Sequence, residues 1–124
     1  MGISVERVGE TVAVVSVSGV IGERLVRKLR EELRGIEKDP PTYVIFDLSA
    51  TQFLSSTSLG LMVAFANLHQ GRFGVGSVVL AGVSEHIRRS MEVLGLLDLF
   101  ILAPDRAGAI ELCGGASGGD SDGV

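Results

Sequence analysis

The chain has 124 residues, 46% of them apolar, with eleven Lys and Arg against fifteen Asp and Glu for a net charge of −4. That length fits one domain able to bury about two-thirds of its unfolded surface, and with aromatics at only 5% the core must be Val, Leu, Ile and Ala. The acidic balance argues against a nucleic-acid partner, which needs a Lys/Arg surplus on one face, and the mixed-sign stretches read as solvated helix faces.

The opening MGISVERVGE has neither the basic n-region nor the apolar h-region of a secretory leader, and Val5 is followed by Glu6 where a myristoylation motif wants Ser or Thr. Ile3 to Val8 and Thr11 to Val17 are short, Val-rich and separated by Gly9-Glu10, which predicts a two-stranded hairpin. In GERLVRKLREELRGIEKD, Leu25, Leu29, Leu33 and Ile36 recur at helical spacing, with Arg, Lys and Glu on the other face, and Asp39-Pro40-Pro41 ends the helix.

YVIFDL, Tyr43 to Leu48, is a nearly continuous apolar run, the pattern of a strand covered on both faces. Leu59 to Leu68 has helical length; its apolar core, Leu59 to Ala66, falls far short of the ~20 residues a membrane span requires. Gly71 to Gly76 reads as a loop, SVVLAGV as a second buried strand, and Ser84 as the N-cap of a helix running through EHIRRSMEVLGLLDLF. FILA is a short strand, and Pro104-Asp105 opens a last helix, RAGAIELC. The predicted order is β-β-α-β-α-β-α-β-α: an α/β domain over residues 1–113 with a mostly parallel central sheet, followed by a Gly/Ser/Asp tail at 114–124 expected to be disordered. A single cysteine, Cys113, excludes an internal disulfide and favours a reducing, cytoplasmic setting, with a packed thiol rather than a nucleophile.

The unusual stretch is FLSSTSLG, where Ser55, Ser56, Thr57 and Ser58 fill the gap between a buried strand and a helix. Loops at the carboxyl ends of strands are where such folds place function. One hydroxyl suffices to cap the helix, and Ser55 is assigned to that role. A phosphate-cradling loop needs several glycines and a nearby Lys, and the stretch has one glycine and no cation. A nucleophilic serine needs a base; the G-x-S-x-G elbow is absent, and His69 and His86 lie in other helical positions without the spacing of a metal pair. Beside a single cap with the other hydroxyls present by chance, the further reading is a phosphorylation switch: phosphate adds about −1.5 to −2 charge beside a positive helix end, so the fold survives while a docking surface built on neutral hydroxyls is lost.

VIFDLSATQFLSSTSLGLM resembles the signature of STAS domains, the anti-sigma factor antagonists: an apolar strand, D-L-S, a short gap, F, an apolar residue, then D-S-S-G-L-G. Register and spacing match without a gap from Asp47 to Gly60, and IRRSMEVLGLLDLFILAPDRAGAIEL resembles the family's third helix, Gly-Leu turn, last strand and closing helix. The resemblance covers roughly residues 3–113. It implies a non-enzymatic cytoplasmic protein without cofactor or metal that binds an anti-sigma factor, often a GHKL-type serine kinase, and is released by phosphorylation, thereby regulating sigma-factor-dependent transcription. The implied partner-binding loop is Ser55, Ser56, Thr57 and Ser58, with Thr57 the preferred phosphoacceptor and Ser56 the second.

Three positions depart from the pattern: Ser55 replaces the acid, Ser58 the glycine after the acceptor, and Gly22 the Asp common before the first helix. Nucleic-acid binding and membrane insertion are not expected, whereas weak homodimerisation fits the family. The alternative reading is an unphosphorylated STAS scaffold or partner subunit of a signalling or transport complex. Gly60 is expected to permit close helix packing, and Leu59, Leu61 and Met62 to be core.

Overall fold

In a computed structural model, residues 2–113 form a five-stranded sheet with helices on both faces. Strands β1 (Gly2–Val8), β2 (Val12–Ile21), β3 (Tyr43–Leu54), β4 (Val78–Ala81) and β5 (Ile101–Ala103) lie side by side in chain order. Only the first pair is antiparallel, joined through Gly9 at φ 66°; the others are parallel. Helices α1 (Glu23–Lys38), α2 (Ser56–Phe73) and α3 (Glu85–Val93) fill the crossovers, a 3₁₀ turn spans Leu97–Leu99, and α4 occupies 106–113. The predicted order of elements is therefore the observed one. The predicted tail, 114–124, lies outside the described residues.

Because strand side chains alternate between faces, β3 feeds two cores at once. Val44, Phe46 and Leu48 join the larger one with Leu29 of α1, Met62 of α2 and Met91 of α3. Ile45 turns the other way to meet Val14, Val79, Ala109 and Cys113 beneath α4. Each fully buried aliphatic or aromatic side chain contributes about 1.5–3 kcal/mol, so this double coverage makes β3 the spine of the domain. An ion pair between Arg106 and Glu6 ties the start of α4 back to β1. Burial pushes the Cys113 thiol up to about 11, so it stays protonated and unreactive near neutral pH.

Several boundaries differ from expectation. The buried stripe of α1 is Val26, Leu29, Leu33 and Ile36, and Leu25 sits only half-buried at its edge. Strand β3 runs to Leu54 instead of Leu48, gaining residues on β2 through register shifts after Ser16 and Gly19. Within that irregular stretch the buried Thr51 hydroxyl donates to the Val17 carbonyl at 2.8 Å. Helix α2 passes through Gly71 and ends only at Gly74, because its last turn is anchored from the side. His69 stacks between Phe65 and Phe73, and the Gln70 amide donates to the Leu99 carbonyl while accepting from the Gly76 N–H.

Helix α3 stops at Val93, well before Phe100. Gly95 at φ 74° turns the chain out, its N–H bonding Glu92 and the Leu96 N–H bonding Met91, the paired bonds of a Schellman ending.

Candidate functional site

The carboxyl ends of β3 and β4 bring the N-termini of α2 and α3 to one edge of the domain. At the first of these, Ser55 has extended backbone angles (φ −72°, ψ 163°), and its Oγ accepts from the Ser58 N–H at 3.1 Å. That is N-capping by a hydroxyl, as expected of Ser55. The Oγ atoms of Ser55 and Ser58 are also 2.9 Å apart. The two departures from the D-S-S-G pattern are thus joined by a hydrogen bond, in the N-cap and N3 positions where capping pairs form. Ser84 caps α3 in the same way, accepting from Ile87 at 3.2 Å.

The four hydroxyls divide into two pairs. Ser58 is fully buried and Ser55 half-buried; together they frame the turn. Ser56 and Thr57 are exposed, and neither side chain hydrogen-bonds another described residue. The surface that the turn offers to another molecule therefore narrows from the predicted Ser55–Ser58 to Ser56 and Thr57, bordered by Ser55. No acidic residue stands in the first turn of α2, so nothing there repels an added anion.

Around the turn, Phe53 keeps 48% of its surface in solvent although Leu54 beside it is buried. A small cleft joins Phe53, Leu54 and Leu59 to His86, Ile87 and Ser90 of α3. Phe53 and the α3 side of this cleft are parts of the site that residue-by-residue reading missed; an aromatic ahead of the hydroxyls was visible, but its exposure depends on the irregular end of β3. Gly60 is exposed, and a Cβ there would meet nothing within 4 Å, so its expected packing role is not the case. Leu59 and Met62 are core as predicted, and Leu61 is half-buried.

The two histidines differ in setting. His69 lies 4% exposed with Nε2 3.0 Å from the Thr42 carbonyl, and burial holds it below the usual histidine range despite that bond. His86 lies on the exposed side of α3. Gly22, the other departure, is the N-cap of α1 and supplies no side-chain bond. Among the described residues no group of three or more His, Cys, Asp or Glu is placed to hold a metal ion, and no helix is long and apolar enough to cross a membrane.

A model of the STAS domain family matches residues 3–109. The fold is similar to that of the anti-sigma factor antagonist SpoIIAA in its unphosphorylated form, with a TM-score of 0.77 and 20% identity over 92% of this chain and 97% of that one. It is also similar to the phosphorylated form of the Bacillus cell fate determinant SpoIIAA, at 0.72 and 18% over 90% and 99%. An anti-sigma factor antagonist from Mycobacterium paratuberculosis is 28% identical with a TM-score of 0.74, over 89% of this chain and 91% of that one.

Proposed function

The chain belongs to the STAS domain family, and on that premise we propose that it is an anti-sigma factor antagonist switched by phosphorylation at the Ser56–Thr57 turn. One observation carries the reading: two exposed hydroxyls, bonded to no other described residue, sit in the first turn of a helix whose capping is done by other residues. A phosphate on either one lies beside the positive end of the helix. It needs no rearrangement to be accommodated, and the fold stays as it is.

What changes is the surface. Unmodified, the turn is a neutral patch beside the exposed Phe53, suited to pack against an anti-sigma factor, a protein that in this reading is also a GHKL-type serine kinase. Phosphate replaces that patch with a bulky dianion. An unpaired charge at a packed contact costs a few kcal/mol, and ~2.8 kcal/mol already lowers affinity a hundredfold. Binding frees the sigma factor; phosphorylation ends binding. That SpoIIAA has been solved with and without phosphate, both forms matching this fold, supports a switch that leaves the scaffold in place.

The test is incubation with the host's anti-sigma kinases and ATP, read by intact mass. A single phosphate is expected on the wild-type chain and none on Ser56→Ala/Thr57→Ala; the single variants then assign the acceptor. An unmodified wild type, or an undiminished shift in the double variant, contradicts the proposal.

A further inference from the structure

Helix α2 carries a second unusual surface, one that begins a turn beyond the hydroxyls. Between α1 and α2 runs a groove of two adjoining depressions, about 160 and 200 Å³, that share Glu37, Phe65 and Leu68. Its apolar lining is Leu33, Leu61, Ala64, Phe65 and Leu68, and Leu68 leaves 64% of its surface in solvent. An apolar strip of this kind bordered by charge is characteristic of surfaces that receive an amphipathic helix.

The charges along it identify the occupant. Arg30 and Arg34, one turn apart on α1, and Arg72 on α2 line the groove against a single carboxylate, Glu37. None of these three guanidinium groups takes part in an ion pair among the described residues. Of the other helix cations, Lys28 pairs with Glu32, and Arg88 and Arg89 with Glu85, whereas Arg24, Arg27 and Lys38 of α1 take part in no ion pair among the described residues. In a chain of net charge −4, three arginines against one carboxylate along an apolar groove are a local reversal of sign. From Leu61 to Arg72 the groove follows α2 for roughly 16 Å, about three helical turns.

We propose that the α1–α2 groove docks an acidic amphipathic helix of a partner protein. Apolar residues at i, i+3 or i+4, and i+7 of that helix cover Leu61, Ala64 and Leu68, while its flanking carboxylates meet Arg30, Arg34 and Arg72. A second copy of this chain fits poorly, because symmetric pairing sets the same arginine rim against itself. The groove is separate from Ser56 and Thr57, and its occupancy does not depend on their phosphorylation.

Selection of a helical-peptide display library on the purified full chain, counter-selected on a Leu68→Glu chain, tests this. The peptides retained should be net acidic with an apolar stripe at helical spacing. They should bind wild type at least about tenfold more tightly than either Leu68→Glu or Arg30→Glu/Arg34→Glu, and weaken as salt rises. Amide shifts on binding should centre on residues 30–37 and 61–72. Both variants change exposed or rim positions, and a preserved thermal transition establishes that each is folded; should Leu68→Glu lose its transition, the double arginine variant serves as the counter-selection. Retained peptides that are neutral or basic, failure of any clone to discriminate, or shifts confined to the Ser56–Thr57 turn overturn the proposal. So does a dimer in sedimentation equilibrium that Leu68→Glu abolishes.

Discussion

Ser55 and Ser58 act as one unit, since the first caps the backbone of the second and their hydroxyls bond each other. Ser55→Ala should cost about 1 kcal/mol by loss of the cap. Ser58→Ala should cost more than an exposed change because its hydroxyl is buried, and the double variant should cost less than the sum of the two, with a coupling of about 0.5–1 kcal/mol. Denaturant melts of the four chains measure this; strict additivity would mean that the two hydroxyls are independent. Ser55→Asp keeps a good capping group and should restore most of the stability. Read this way, the Ser that stands in place of the family's acid preserves the helix start while removing a surface charge.

His69 makes a second prediction at the same scale. Burial, reinforced by Arg72 and opposed by the Thr42 carbonyl and Glu37, keeps it neutral in the fold at pH values where an unfolded histidine protonates. The unfolded state therefore binds the extra proton, and stability from this residue is intact above the ordinary histidine range and is lost as pH falls through about 6.5. Wild type should lose stability between about pH 7 and pH 5. His69→Gln should show a flatter profile over that range even where its absolute stability is lower, the Phe65 and Phe73 stacking having been lost. Equal slopes for the two chains would assign the acid sensitivity elsewhere.

At the scale of elements, two glycines separate strain from space. Gly95 and Gly82 both have positive φ, 74° and 67°, but a Cβ at Gly95 meets nothing within 4 Å, whereas at Gly82 it would lie 2.7 Å from the Ser49 Cβ and 3.0 Å from its Cα. Gly95→Ala should cost about 1–2 kcal/mol from backbone strain alone. Gly82→Ala adds overlap with β3 and should cost a further ~1–3 kcal/mol. Thermal melts decide it, and equal losses would show that the β4–α3 loop yields readily. The hydrophobic rhythm exposed the strands and α-helices in their proper order, though not the 3₁₀ turn at Leu97–Leu99, because Leu29, Leu33 and Ile36, or Val44 through Leu48, repeat at the period of the structure they form. The ends were less legible. Helix α2 outruns Leu68 because Gln70 and His69 find partners distant in sequence, and those contacts outweigh Gly71, which costs about 1 kcal/mol in a helix. Strand β3 outruns Leu48 because irregular pairing with β2 admits polar residues that no alternating pattern announces.

At the scale of the molecule, the parallel order places the starts of α2 and α3 at one edge of the domain, where function was expected from the strand–loop–helix pattern. The position of the hydroxyl cluster was therefore legible, and so was its capping residue. Which hydroxyls face outward was not, because four adjacent residues entering a helix point in four directions and the sequence alone does not say which of them the turn encloses. Nor was the arginine-lined groove, since Arg30, Arg34 and Arg72 lie far apart in the chain and converge only when α1 and α2 pack side by side. Together these place two surfaces along helix α2: a neutral turn with two exposed hydroxyls, and an arginine-lined groove farther along.

The most direct test compares the unmodified chain with its stoichiometrically phosphorylated form, titrated by calorimetry against the host's anti-sigma factor, with circular dichroism recorded on both. Phosphorylation is predicted to weaken binding at least about a hundredfold while the spectrum and melting transition persist. Unchanged affinity, or affinity lost only together with the fold, would contradict the account.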